Sequence, residues 1–171
     1  SDMVELRAIE LIAGSLYDSV QGDPKARETM ALAQYIAGMG FSNVGLGIVH
    51  SMAHPLGAFY DTPHGVANAT LLPYVMEYNA ESPSRAKYLD IARAMGVKTD
   101  GMSVDEGVRA AVDAVKALSL SIRIPQRLHE LGVREEDIPA LAVAAFNDVC
   151  TGGNPRPTSV EEIERLYHIA Y

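Results

Sequence analysis

The sequence predicts an all-α fold of about seven or eight helices, and three observations predict it. Apolar residues recur at intervals of three and four along most of the chain, the spacing that lines one face of a helix. Ser, Asp and Pro stand ahead of those runs and Gly closes them, which are helix start and stop signals. No stretch of four or more residues shows convincing apolar–polar alternation between turn signals, so essentially no sheet is expected.

Taken in order, Leu6, Ile9, Ala13, Leu16 and Val20 build an apolar stripe on a helix starting near Ser1 or Asp2, and Gly22 stops it. Asp23-Pro24 then offers an N-cap followed by Pro at the first helical position, with Met30, Ala33 and Ala37 continuing the period. Ser82-Pro83 repeats that signature and predicts a helix carrying Tyr88, Ile91 and Met95, closed by Gly96. Ser103-Val104-Asp105-Glu106 reads as a capping box ahead of Val108, Val112, Val115 and Leu118. Asp137 is expected to cap the segment Pro139 to Val149, and Thr158-Ser159-Val160-Glu161 to form a second capping box before Ile163, Leu166 and Ile169. No repeat, low-complexity tract or long linker divides the chain, so one domain spanning residues 1–171 is expected.

Composition bounds the function. With 171 residues, 48% of them hydrophobic and 21% charged, the chain is long enough for a sizeable core, and disorder is excluded. Asp and Glu number 22 against 14 Lys and Arg, a formal charge of −8, and no stretch concentrates base. Such a surface repels phosphate backbones and anionic headgroups, so neither nucleic acid nor a membrane is an expected partner. The single Cys150 forms no internal disulfide, and apolar runs such as Val143 to Phe146 fall far short of the ~20 residues of a membrane span. Ser1-Asp2-Met3-Val4-Glu5 opens with acid where a signal peptide places base, so the expected location is the cytoplasm. The start without Met points to a piece of something longer.

Three of the five histidines fall within fifteen residues, in HSMAHPLGAFYDTPHGVAN. His50 and His54 are spaced i, i+4 and share one helix face, where a pair can bind a metal or relay a proton. Pro55 disfavours α geometry at His54, which predicts a break or kink there. A chain that doubles back between Pro55 and Pro63 would bring His64 next to His50. Imidazole suits divalent zinc, iron, copper or nickel, but two histidines are too few for a stable site, so further ligands must come from elsewhere. Asp61 is the nearest carboxylate and reads equally well as a solvated loop residue. Upstream, GMGFSNVGLG departs from G-x-G-x-x-G at its last position and has no preceding strand; its glycines are expected to permit close helix packing or close approach of a ligand. His129 and His168 read as ordinary surface histidines, Cys150 as a buried apolar filler, and Tyr74, Tyr78, Phe59 and Tyr60 as core or interface. Glu135, Glu136 and Asp137 suit a helix N-terminus.

The run GMGFSNVGLGIVHSMAHPLGAFYDTPHGVANATLLPYVMEYN closely resembles the iron-dependent (group III) alcohol dehydrogenases, and the tail DVCTGGNPRPTSVEEIERLYHIAY resembles the end of the same family. The resemblance covers essentially the whole chain, with wording most similar to the branch acting on small diols and their aldehydes. It implies an N-terminal α/β domain that binds NAD(P) and a C-terminal all-helical domain, dehydroquinate synthase-like in fold, that holds Fe2+. The family's metal is held by an aspartate and three histidines. The last two of those histidines match His50 and His64, while the histidine matching His54 lies near the nicotinamide and substrate in the family. His54 is therefore expected to be catalytic and cofactor-proximal, relaying a proton between the alcohol and bulk water. Phe41 and Cys150 match positions that approach the active-site cleft.

The resemblance further implies that the metal polarises the oxygen of a small alcohol or aldehyde while hydride passes to or from the nicotinamide. The family's aspartate and first histidine sit in a D-x-x-x-H helix, and no D-x-x-x-H occurs here. The expectation is thus a C-terminal domain without its N-terminal partner, inactive alone, on which Zn2+ or Ni2+ could substitute loosely at His50 and His64. An uncovered cleft would leave apolar surface able to support a homo-oligomer. The competing reading is a non-enzymatic helical interaction or oligomerisation module, which predicts a drifted histidine motif. A third is the dehydroquinate synthase or glycerol dehydrogenase branch, against which HSMAHPLGAFYDTPHG argues.

Overall fold

A computed structural model describes residues 2–171, and among them are eight α-helices and no strand. Among the described residues, no single helix is long and apolar enough to cross a membrane. The chain divides into two compact helical units, one of residues 1–45 and 84–122, the other of residues 46–83 and 123–171.

The first unit contains α1 (Asp2–Gln21), α2 (Pro24–Val44), α5 (Tyr88–Ala94) and α6 (Val104–Ser121). Helix α1 begins at Asp2; Ser1 lies outside the described residues. Asp23 caps α2 as its sequence requires, the carboxylate accepting from the Ala26 N–H at 2.7 Å with Pro24 at the first helical position. The α1–α2 pair closes on small residues: Ala8, Ala26 and Ala33 are buried, and a methyl on Gly40 would stand 2.6 Å from Glu5 Cγ. One of the crowded glycines therefore does serve close helix packing. Tyr88 is buried on α5, and burial pushes its phenol up to about 12.

The Ser82-Pro83 signal is not the start of a helix. A turn and a single 3-10 turn at Arg85–Lys87 precede α5, which runs only from Tyr88 and reaches its C-cap at Met95. The Ser103 box forms in full: the hydroxyl accepts from the Glu106 N–H at 3.2 Å, and the Glu106 carboxylate accepts from the Ser103 N–H at 2.7 Å. Replacing Ser103 with Ala should cost about 1 kcal/mol. A urea titration monitored by circular dichroism checks this; an unchanged midpoint would mean that α6 is held by packing alone.

The second unit contains α3 (Ile48–Tyr60), α4 (His64–Asn79), α7 (Ile138–Phe146) and α8 (Val160–Ala170). Its core joins Ile48, Met52 and Leu56 of α3 to Leu71 of α4, Ile138 and Leu141 of α7, and Ile163 and Tyr167 of α8. Helix α7 is shorter than Pro139 to Val149, and Asp137 does not cap it with its side chain. That carboxylate instead accepts from the Tyr60 hydroxyl and from Arg134 Nε at 2.9 Å, and these two bonds hold it below the usual carboxylate range. The second capping box does not form, and the N-cap is one residue later than Thr158. Ser159 is the N-cap and accepts from the Glu162 N–H at 3.3 Å, while the Glu162 carboxylate accepts from the Tyr78 hydroxyl at 2.9 Å.

Candidate functional site

The histidines are placed by a helix that should have broken and did not. Helix α3 continues through Pro55, which is buried within it, although the residue before a proline disfavours α geometry. Burial of Ile48, Met52, Ala53 and Leu56 on one face outweighs that local preference. The hydroxyl of Tyr167 donates to the Met52 carbonyl at 2.7 Å, close to where Pro55 removes an N–H from the helix ladder. The reversal falls later. Asp61 takes a left-handed conformation at φ 54°, its N–H bonds back to the Gly57 carbonyl, and α4 starts at His64.

This reversal brings the three rings together. Ring centroids lie 5.5 Å apart for His50–His64, 5.5 Å for His54–His64 and 6.2 Å for His50–His54. Two imidazoles bound tetrahedrally to one divalent ion, with metal–nitrogen bonds of ~2.0–2.1 Å, have centroids roughly 5 Å apart. The His50–His64 and His54–His64 pairs both meet this distance, and imidazole nitrogens are donors of the kind iron or zinc accepts. Burial lowers the His50 pKa, and the neighbouring His64 and His54 lower it further against the opposing pull of Asp148. Asp61 is exposed on the loop.

His54 is held differently. Its Nδ1 lies 2.7 Å from Asp148 Oδ2, contributed by the segment after α7. Burial works to raise the Asp148 carboxyl, but the bonds from His54 and from the Cys150 N–H keep it below the usual range. A carboxylate on Nδ1 fixes the ring's orientation and leaves Nε2 free for proton exchange. Cys150 is half-buried beside them rather than a core filler; burial, with Asp148 next, raises its thiol pKa.

Nothing local pointed to Asp148, which stands 94 residues from His54. The segment carrying it is tied to α3 at two points. Thr151 Oγ1 lies 2.8 Å from Ser51 Oγ, and Asn154 Oδ1 accepts from the Ile48 N–H at 3.4 Å. Asn154 also exchanges two amide bonds with Asn79, at 2.8 and 3.0 Å. Gly153 is required at its position, because a methyl there would run into the Leu46 carbonyl. A methyl on Gly47 would likewise press to 3.0 Å from Asn154 Oδ1.

Phe41 is 47% exposed near the end of α2. His129 and His168 are exposed, bonded to the Tyr171 carbonyl and near Glu135 respectively. Tyr74, Tyr78 and Tyr60 pack against the core, whereas Phe59 is exposed.

A family model described as "Fe-containing alcohol dehydrogenase family, C-terminal" matches residues 1–171. Lactaldehyde reductase of Escherichia coli (strain K12) is 63% identical over 171 residues, covering 100% of this chain and 44% of that protein. The 1,3-propanediol dehydrogenase of Citrobacter freundii is 45% identical over 173 residues, again with 44% of its length covered. Among solved structures, that of a 1,3-propanediol oxidoreductase superposes with a TM-score of 0.96 at 44% identity, covering 99% of this chain and 45% of that one. The chain thus spans less than half the length of the relatives it matches.

Proposed function

The chain belongs to the Fe-containing alcohol dehydrogenase family, matching its C-terminal region, and from that premise we propose that it is the metal-binding part of an NAD(P)-linked oxidoreductase. Its substrates would be small alcohols or diols and their aldehydes; the 63% identity to a lactaldehyde reductase favours lactaldehyde and 1,2-propanediol. The observation that carries the reading is the convergence of three imidazoles, with one of them anchored on Asp148.

In this reading His50 and His64 would hold Fe2+ with ligands from outside the chain. When bound, the metal would polarise the substrate oxygen. His54 has a different task. With Nδ1 on Asp148, its Nε2 would hold and pass the proton that the alcohol loses on oxidation or the aldehyde gains on reduction. Helix α3 fixes the distance between these functions by carrying His50 and His54 one turn apart. Zn2+ or Ni2+ would occupy the His50–His64 pair more loosely in this chain alone. The 171-residue chain by itself would not turn over, since no D-x-x-x-H supplies the other family ligands.

The test uses the intact protein, loaded anaerobically with ferrous iron and followed by NADH consumption with lactaldehyde. His54→Ala should keep its iron and lose roughly 10²–10⁴-fold in kcat. No turnover by iron-loaded wild type with any small aldehyde would refute the function. An unchanged kcat in His54→Ala would remove that residue from the proton path.

A further inference from the structure

We infer that His54, Asp148 and Cys150 form a second metal site, distinct from the His50–His64 pair and selective for a soft divalent cation such as zinc. Each of the three offers one ligand atom, and these atoms all lie within 4.8 Å of one another. Tetrahedral zinc with bonds of ~2.0–2.3 Å needs ligand atoms roughly 3.3–3.7 Å apart. His54 Nδ1 and Asp148 Oδ2, now 2.7 Å apart across a shared proton, would spread slightly, and the Cys150 sulfur would close inward by about 1 Å.

The chemistry matches zinc better than magnesium. The thiolate is a soft donor and the imidazole a borderline one, which the all-oxygen sites of magnesium lack, and a carboxylate is an ordinary further ligand of zinc. On binding, the Cys150 thiol releases its proton to solvent, and the cation takes His54 Nδ1 while the proton held there moves to Nε2, so the imidazole stays neutral. One dication against a thiolate and a carboxylate leaves the occupied site without net charge, which limits the cost of holding it half-buried. The backbone supports the arrangement: the Cys150 N–H donates to Asp148 Oδ1 at 2.8 Å, so two of the three ligands come from one tight turn. All three side chains are half-buried, leaving a fourth position for water.

The consequence, which rests on the function proposed for His54, is inhibition. Zinc bound here would occupy the imidazole assigned to the proton without displacing iron from His50 and His64.

The experiment is a cobalt(II) titration of the protein, because cobalt bound to thiolate gives a near-ultraviolet charge-transfer band that nitrogen and oxygen ligands do not. The band should appear in wild type and vanish in Cys150→Ser. In Asp148→Asn it should need at least about tenfold more cobalt. His50→Ala should keep it, since that residue is not a ligand of this site. The proposal is overturned by any of three results: no band with cobalt in about tenfold excess, a band that persists in Cys150→Ser, or one that disappears in His50→Ala. The last would mean that Cys150 joins the iron site instead. None of these readings depends on turnover, so the site and the dehydrogenase assignment stand or fall separately.

Discussion

His50→Ala and His64→Ala should each leave the intact protein folded but nearly free of iron. The two rings lie 5.5 Å apart, one at the start of α3 and the other at the start of α4. Removing one leaves the metal a single histidine from this chain, against the three or more protein ligands that catalytic sites use. A metal that polarises substrate oxygen supplies several kcal/mol to the transition state, so kcat/KM should fall by about a thousandfold or more. Metal analysis and steady-state kinetics on the same samples check both halves of the claim. His129→Ala, an exposed histidine bonded to the Tyr171 carbonyl, should change neither. Full iron in either variant would remove that histidine from the ligand set. Iron loss without activity loss would remove the metal from the chemistry.

The contrast with His54→Ala is what separates the roles, and spacing alone would not have drawn it. An i, i+4 pair reads as a metal pair, and the ring distances in the structure would admit His54 as well as His50. Asp148 engages Nδ1 of His54 and orients that ring for proton exchange or metal binding through Nε2 alike, so the iron content of the His54→Ala protein is what separates the roles. That contact joins residues 94 apart, and no local pattern in DVCTGG announces it.

What the sequence does make legible is whatever is settled within a turn or two. The Asp23 and Ser103 caps, the stop after Gln21 and the helical period of α1, α2 and α6 all follow from neighbours three or four residues apart. Two of the misses share a cause. At Pro55 and at Asp137, a local rule met the packing around it. Core burial carried α3 through its proline, and the Tyr60 hydroxyl and Arg134 took the carboxylate that would have capped α7. Local signals mark where a helix is permitted to start or stop, and packing decides which of those permissions is used.

The same competition makes Tyr167 the most consequential side chain outside the site. It is fully buried in α8, and its hydroxyl reaches the carbonyl of Met52, which lies between His50 and His54 on α3. Burial and the nearby Asp148 carboxylate raise its phenol well above the usual range, so it remains a neutral donor at any working pH. Tyr167→Phe keeps the ring and loses one hydrogen bond, and should cost about 1 kcal/mol. Tyr167→Ala also empties a space among Ile48, Met52 and Ile163, and should cost about 3–5 kcal/mol. Urea denaturation of the three proteins measures both steps. If this packing keeps α3 continuous across Pro55, the alanine variant should also lose iron affinity under native conditions, while the phenylalanine variant keeps most of it. Equal losses in the two variants would place the support in the hydroxyl alone. A cost below about 1 kcal/mol for alanine would mean that the helix carries its proline without help from α8.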